Sequence, residues 1–248
     1  MPKIPKNSTN ATNALLLSIE TATGCGSVAL TKGRIKNGKV LAEAIAQPEI
    51  IHSRRLLGSV DWVMQAAGVQ WDELHGVAIS LGPGSFTGLR IGMAAAKGIV
   101  YACKTPLIGV QTLDAIALAC PVIDRPLWCL LDARKQEVYA ACYHTGPSGL
   151  PEQCSPVETL CSEHLLEKIT GPTLLAGPGV TEYHDFFAAH KDVQLIPAAL
   201  SSPCAARIGF LAAEHLLAGK TADPATLAPL YVRASEAEVN LQKNKATA

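Results

Sequence analysis

Apolar residues along the 248-residue chain fall into two rhythms. The first is the short unbroken run. Leu15-Leu16-Leu17-Ser18-Ile19 ends in Glu20-Thr21-Ala22-Thr23-Gly24, which predicts a buried strand entering a turn. Ser27-Val28-Ala29-Leu30-Thr31 predicts a second strand. The glycines, Asn and cations of Gly33 to Lys39 predict a hairpin turn, and Val40 to Ala46 a third strand. At Ser53 the rhythm changes. Leu56, Val60, Val63 and Ala67 recur at helical spacing, and Leu57 and Met64 widen the stripe. This predicts a helix over Ser53 to Ala67, with Ser53 as N-cap and Gly68 as the stop. Trp71-Asp72-Glu73-Leu74 reads as a linker turn. Gly76 to Leu81 is a strand, followed by Gly82-Pro83-Gly84-Ser85-Phe86-Thr87-Gly88 and a helix to about Cys103. Pro106 to Val110 is a strand, and Thr112 to Cys120 a helix.

The second half opens the same way. Leu127 to Ala133 and Glu137 to His144 are strands joined at Arg134-Lys135-Gln136. Glu163 to Ile169 is a helix. Leu174-Leu175-Ala176 leads into Gly177-Pro178-Gly179, a second strand-to-Gly-Pro-Gly turn. Val193 to Ile196 is a short strand. Ser201 to Gly219 is a helix capped by Ser201 and Ser202, with Pro203 in its first turn and Gly219 at its end. The layout is mixed α/β, with a boundary near Gly109 to Pro126. The halves share a strand–turn theme but no sequence repeat that aligns.

Composition narrows the function. Hydrophobic residues are 48% and charged residues 17%, against about 25% charged in an average domain. The balance is 21 Lys+Arg against 21 Asp+Glu. Scattered cations and zero net charge argue against a chain that holds nucleic acid alone. The 8 cysteines contain no C-x-x-C pair, and most lie in apolar runs, so reduced core thiols are expected. No signal peptide or membrane span is visible. A cytoplasmic protein with a disordered tail over 1–13 is expected.

Candidate chemistry is sparse. Gly82, Gly84 and Gly88 lie between a strand and a helix, where backbone N–H groups can meet an anion. The loop lacks the Lys-Ser/Thr of a P-loop, fails G-x-G-x-x-G at Thr87, and is no nucleophile elbow. A structural turn and a nucleotide contact both remain open. The following helix carries a small-residue stripe, Gly88, Gly92 and Ala96, suited to packing on its own sheet or on a partner. No histidine pair sits at i, i+3 or i, i+4, so a metal site is not expected. Glu20 is a lone carboxylate beside a turn. Asp132-Ala133-Arg134 reads as a salt-bridged turn.

Several stretches resemble the TsaB (YeaZ-like) family. Ile19-Glu20-Thr21-Ala22-Thr23 with Ser27-Val28-Ala29-Leu30 looks like its opening. His52-Ser53 and Gly82-Pro83-Gly84-Ser85-Phe86-Thr87-Gly88-Leu89-Arg90-Ile91-Gly92 match its strongest signature. Asp132-Ala133-Arg134 with Glu137-Val138-Tyr139 fits its second domain, and Pro229-Leu230-Tyr231-Val232-Arg233 its C-terminal segment. The match runs from about Leu15 to Glu238.

The resemblance implies an actin-like ATPase fold (ASKHA, ribonuclease H-like) with two related lobes. An N-terminal lobe over 14–110 would hold the strand meander and two interface helices. A C-terminal lobe over 111–248 would follow, its helix 201–219 a candidate to pack back on the first lobe. The resemblance further implies a cytoplasmic, non-catalytic scaffold subunit. It would bind and activate a TsaD-like threonylcarbamoyltransferase in threonylcarbamoyladenosine modification of tRNA beside the anticodon. A TsaE-like ATPase would join them, the chain alone would form a homodimer, and tRNA would be held mainly by the partner. The implied partner interface is Leu56, Leu57, Val60, Met64, Phe86, Leu89, Gly92, Ala96 and Ile99. Nucleotide contacts would come from Gly82, Gly84, Ser85, Thr87 and Gly88, with ATP or ADP at the partner interface and none bound by this chain alone.

The catalytic relatives carry a metal-binding His-x-x-x-His, where this chain has Thr112 and Ile116. They also carry acidic residues near Gly24 and Cys25. An ATPase or phosphotransferase in its own right is the alternative, weakened by those missing acids. A peptidase would need the missing metal pair.

Overall fold

The computed structural model describes residues 13–23, 26–46, 53–120 and 124–232, with side chains in the first helix described from Leu56 onward. Residues 1–12 of the tail expected over 1–13, the positions Gly24, Cys25 and His52, the Ser53 cap and the chain beyond Val232 lie outside that description.

Five strands form the first sheet: β1 (Leu15–Glu20), β2 (Gly26–Lys32), β3 (Lys39–Ala46), β4 (Gly76–Ser80) and β5 (Leu107–Val110), in the order β3-β2-β1-β4-β5. β1 pairs antiparallel with β2 and parallel with β4. Every residue of β1 is buried. Leu15, Leu17 and Ile19 face one core cluster, while Leu16 faces another. A strand covered on both faces has no polar side to display, so its sequence reads as one apolar run instead of alternating.

Helices α1 (Ser53–Ala67) and α2 (Phe86–Cys103) cover the first face. Leu56, Val60, Val63 and Met64 of α1 meet Met93, Ala96, Ile99 and Val100 of α2 over the sheet. Gly68 ends α1 at φ +65°. Its N–H donates to Gln65 O at 3.0 Å and that of Val69 to Met64 O at 3.1 Å, a Schellman pair.

The second sheet contains β6 (Leu127–Arg134), β7 (Glu137–Thr145), β8 (Pro151–Gln153), β9 (Glu158–Cys161), β10 (Thr173–Ala176) and β11 (Val193–Leu195). Its order is β11-β10-β6-β7-β8, with β9 also on β7. Read from the β8 edge, it repeats the first sheet: an antiparallel hairpin, then two parallel strands. The halves that share no alignable repeat share a topology.

Two helices tie the sheets together. Helix α3 (Thr112–Ala117) places Leu113, Ile116 and Ala117 against β6 and β7. Its Asp114 accepts a hydrogen bond from Tyr143 Oη at 2.8 Å. Short helices α4 (Ser162–Glu167), α5 (Pro178–Glu182), α6 (His184–Ala188) and α7 (Ala198–Ser201) belong to the second half. Helix α8 (Ala205–Leu217) lies on the free face of the first sheet, with Ile208, Ala212, Ala213 and Leu216 against Leu16, Ala78, Ile108 and Val110. Gly209 permits the close approach: a Cβ there would stand 2.4 Å from Thr31 Oγ1 and 2.6 Å from Ser18 Oγ.

The expected helix from Ser201 to Gly219 starts later: Ser201 ends α7, Ser202 to Cys204 are non-helical, and α8 begins at Ala205. Neither serine caps α8. Ser201 Oγ instead accepts from Gly177 N at 2.9 Å. The start of α8 is capped from the first sheet: Ala205 N donates to Ser27 Oγ at 2.8 Å and Ala206 N to Glu43 Oε1 at 3.0 Å. Glu43 also sets a carboxylate at the positive end of the helix dipole.

Candidate functional site

The turn after β1 and the glycine loop after β4 are interlocked. Ser85 N donates to Ala22 O at 2.7 Å. A Cβ on Gly84 would stand 2.2 Å from Ala22 O, one on Gly88 2.0 Å from Thr21 O, and one on Gly92 2.1 Å from Thr21 Oγ1. Gly82, at φ +107°, backs onto Leu89 and Leu230 O. Ser85 is the N-cap of α2 and accepts from Gly88 N at 3.2 Å. The four glycines thus have a packing reason inside this chain, and two of the loop's N–H groups already have partners. Ser85, Phe86 and Thr87 are the loop's exposed members.

Glu20 holds the β1 turn from below. Its carboxylate accepts from Ala22 N at 2.6 Å and Thr23 Oγ1 at 3.2 Å. Complete burial pushes its pKa up to about 7, outweighing those stabilising hydrogen bonds.

The second Gly-Pro-Gly turn is placed like the first. Gly177, at φ +102°, follows β10 and would drive a Cβ to 2.4 Å from Leu130 O and 3.0 Å from Ile116 Cδ1. Gly82 O accepts from Thr112 N at 2.9 Å. Both turns therefore abut α3, one at its first residue and one at Ile116. Thr112 and Ile116 are fully buried.

The structure corrects the expected partner interface. Leu56, Val60, Met64, Leu89, Gly92, Ala96 and Ile99 are buried in this chain's own core, so they offer no area to another molecule. Leu57 and Phe86 are exposed, the former at 53%. The physical reason is helical phase: the apolar stripe packs on the sheet, and an interface must use the opposite side. That side presents Leu57, Gly58 and Trp62 on α1, and Ala94, Gly98 and Tyr101 on α2. Trp62 is 54% exposed and Tyr101 87%. Large aromatics out of phase with the buried stripe were the available signal.

At the start of α2, Arg90 lies over the Phe86 ring at 3.7 Å. Its Nε donates to Tyr231 Oη at 3.0 Å. Leu230 N donates to Leu81 O at 2.7 Å, so the C-terminal segment straps the glycine loop. In the second half, the expected salt-bridged turn is present. Asp132 accepts from Arg134 N at 2.7 Å and pairs with Arg134 Nε at 3.4 Å.

Comparison with known proteins identifies the fold and the family. The family model described as TsaD: tRNA N6-adenosine threonylcarbamoyltransferase matches residues 40–241. The Escherichia coli (strain K12) protein named tRNA threonylcarbamoyladenosine biosynthesis protein TsaB is 28% identical, over 88% of this chain and 94% of its own. An uncharacterized protein of Mycobacterium tuberculosis (strain H37Rv) is 32% identical over 90% of this chain and 93% of its own. The solved structure of YeaZ from Pseudomonas aeruginosa superposes with a TM-score of 0.71 at 25% identity, covering 88% of this chain and 99% of that one. With its two related sheets of the actin-like, ribonuclease H-like type and these relatives over most of its length, the chain belongs to the TsaB/YeaZ family.

Proposed function

We propose that this chain acts in tRNA threonylcarbamoyladenosine biosynthesis as a non-catalytic subunit, docking a TsaD-like threonylcarbamoyltransferase on the outer face of α1 and α2. The relatives named TsaB supply the pathway. The observation that carries the docking face is a pair of glycines. Gly58 and Gly98 lie inside helices, yet a Cβ on either would meet nothing within 4 Å. A mid-helix glycine costs about 1 kcal/mol against alanine. Gly88 and Gly92 answer that cost by packing on Thr21, whereas Gly58 and Gly98 have no such neighbour. A second molecule's helices brought close to the backbone would supply it, with Leu57, Trp62 and Tyr101 as apolar anchors.

The TsaD family model spans most of this chain. Two subunits built on one plan can meet through equivalent helices about a pseudo-twofold axis, and the same face can then pair with itself. A homodimer of the isolated chain is the expected resting form. The TsaE-like ATPase and any ATP or ADP belong to the assembled complex, and tRNA is held mainly by the partner, in line with the neutral charge of this chain.

The test is co-elution with a TsaD-like subunit on gel filtration, then reconstitution with TsaE-like protein and tRNA, omitting each component in turn. Gly98→Trp and Trp62→Glu should abolish co-elution while circular dichroism and Tm hold. Modification should be lost when this chain is omitted, and this chain alone should give none. Co-elution of both folded variants at the wild-type level would sink the docking face. Undiminished modification without this chain would sink the subunit role.

A further inference from the structure

The β7–β8 hairpin brings two cysteines face to face. The register pairs Thr145 with Pro151, His144 with Glu152 and Tyr143 with Gln153. One step further, Cys142 stands opposite Cys154, and Cys154 N donates to Cys142 O at 2.8 Å. Directly opposed residues of an antiparallel pair have Cα atoms about 4.5–5.5 Å apart and side chains on the same face. That lies within the roughly 4.4–6.8 Å span of disulfides. The Cys142 thiol donates to Tyr143 O at 3.9 Å.

Position 142 is a junction in the sheet. β7 pairs with β9 below it, through Glu137 to Ala140, and with β8 above it, from Tyr143. Between them, Cys142 N donates to the Ser155 side chain at 2.8 Å in place of a ladder carbonyl. Cys154 is exposed and Cys142 half-buried. One thiol is therefore open to a reagent, with the second held behind it.

We propose that Cys142 and Cys154 form a reversible dithiol–disulfide pair that closes the β7–β8 hairpin, oxidised by a small-molecule disulfide such as glutathione disulfide. The Cys154 thiolate attacks one sulfur of the reagent, the reagent's S–S bond breaks, and one small thiol leaves with the proton that Cys154 lost. The Cys142 sulfur, its proton given to water, attacks the Cys154 sulfur. The mixed S–S bond breaks, and the second small thiol leaves and takes up that proton. Two cysteine sulfurs are oxidised and the two sulfurs of the reagent are reduced. Burial and the Cys154 side chain push the Cys142 thiol up to about 12, which holds it as the protonated thiol until it attacks.

The test oxidises the full chain with glutathione disulfide over a range of ratios to glutathione, then unfolds it and alkylates it. Mass spectrometry should find two fewer alkylated thiols, the chain before alkylation about 2 Da lighter than its reduced form, and a bond mapped to 142–154 that dithiothreitol removes. Cys161→Ser should behave like the wild type. Cys154→Ser should keep every remaining thiol open to alkylation. Cys142→Ser, or Cys142→Ala if the serine variant does not fold, should instead accumulate the glutathione adduct on Cys154. Full alkylation of the wild type at every ratio would overturn the proposal. So would a bond mapped to Cys154 and Cys161, or a wild-type adduct on Cys154 that never closes.

Discussion

The backbone oxygen of Thr21 occupies the place where a Cβ on Gly88 would go: the two would be 2.0 Å apart. That oxygen belongs to the turn braced by Glu20, and cannot swing away as a side chain could. Gly88→Ala should therefore push the start of α2 off the β1 turn, at a cost of about 1–3 kcal/mol. Gly98 is its counterpart on the same helix, with open space around it. Gly98→Ala should gain up to about 1 kcal/mol of stability while weakening capture of the TsaD-like subunit. Urea denaturation and a binding titration on both variants check this. Equal stability effects would contradict the division between inward and outward glycines.

Much of this division could not be read along the chain. β1 was legible because burial on both faces leaves an unbroken apolar run. The stripe of α1 was legible because it packs on one sheet. Its far side was not, since Leu57 reads as a wider stripe until the helix is set on the sheet. The glycine motif stood out, but its purpose depended on Thr21 and Ala22, some sixty residues earlier. β8 and β9 are short, and β8 begins with a proline, so neither carries a strand rhythm. The start of α8 was misplaced because Ser27 and Glu43 cap it from across the molecule.

Those distant caps yield a second prediction. Ser27 Oγ is buried and accepts the first free N–H of α8. Ser27→Ala leaves that donor without a partner and should cost about 1 kcal/mol, within the range of lost N-caps. Glu43→Gln keeps an acceptor but removes the charge at the dipole, so its loss should be smaller, about 0.5 kcal/mol. Denaturant melts at low and high salt separate the two, because only the Glu43 effect should shrink with salt.

The buried Glu20 predicts a pH dependence. Its folded pKa of about 7 lies above the ordinary value of 4.5. The folded chain thus holds this proton more tightly than the unfolded chain. Stability from this group is full below pH 4.5, falls as pH rises towards 7, and is flat beyond. The shift corresponds to a loss of about 3 kcal/mol across that window. Glu20→Gln keeps an oxygen for Ala22 N and removes the ionisation. Its stability should lack this slope, so the wild type should lose ground to it between pH 5 and 8. Parallel urea curves for the two proteins across that range would contradict a Glu20 that keeps its proton above the ordinary value in the folded chain.

The tip of the β6–β7 hairpin yields the last prediction. Arg134, Lys135 and Gln136 all have positive φ, at 64°, 56° and 63°. Lys135 and Gln136 form a two-residue loop between the paired Arg134 and Glu137. Positive φ at both loop positions is the pattern of a type I′ turn, which favours Asn-Gly. A non-glycine residue there carries about 1–2 kcal/mol of steric cost. The tip is held by Asp132, which binds Arg134 N and receives Tyr183 Oη at 3.3 Å. Gln136→Gly should relieve strain at one position and raise stability by about 1 kcal/mol, less than the full relief because glycine has more freedom to lose on folding. Tyr183→Phe should lower it by about 1 kcal/mol by removing a bond to the anchoring carboxylate. Combining the two should fall short of additivity, since both act on one turn. A Gln136→Gly variant less stable than the wild type would mean that the glutamine side chain contributes more at this tip than its backbone costs.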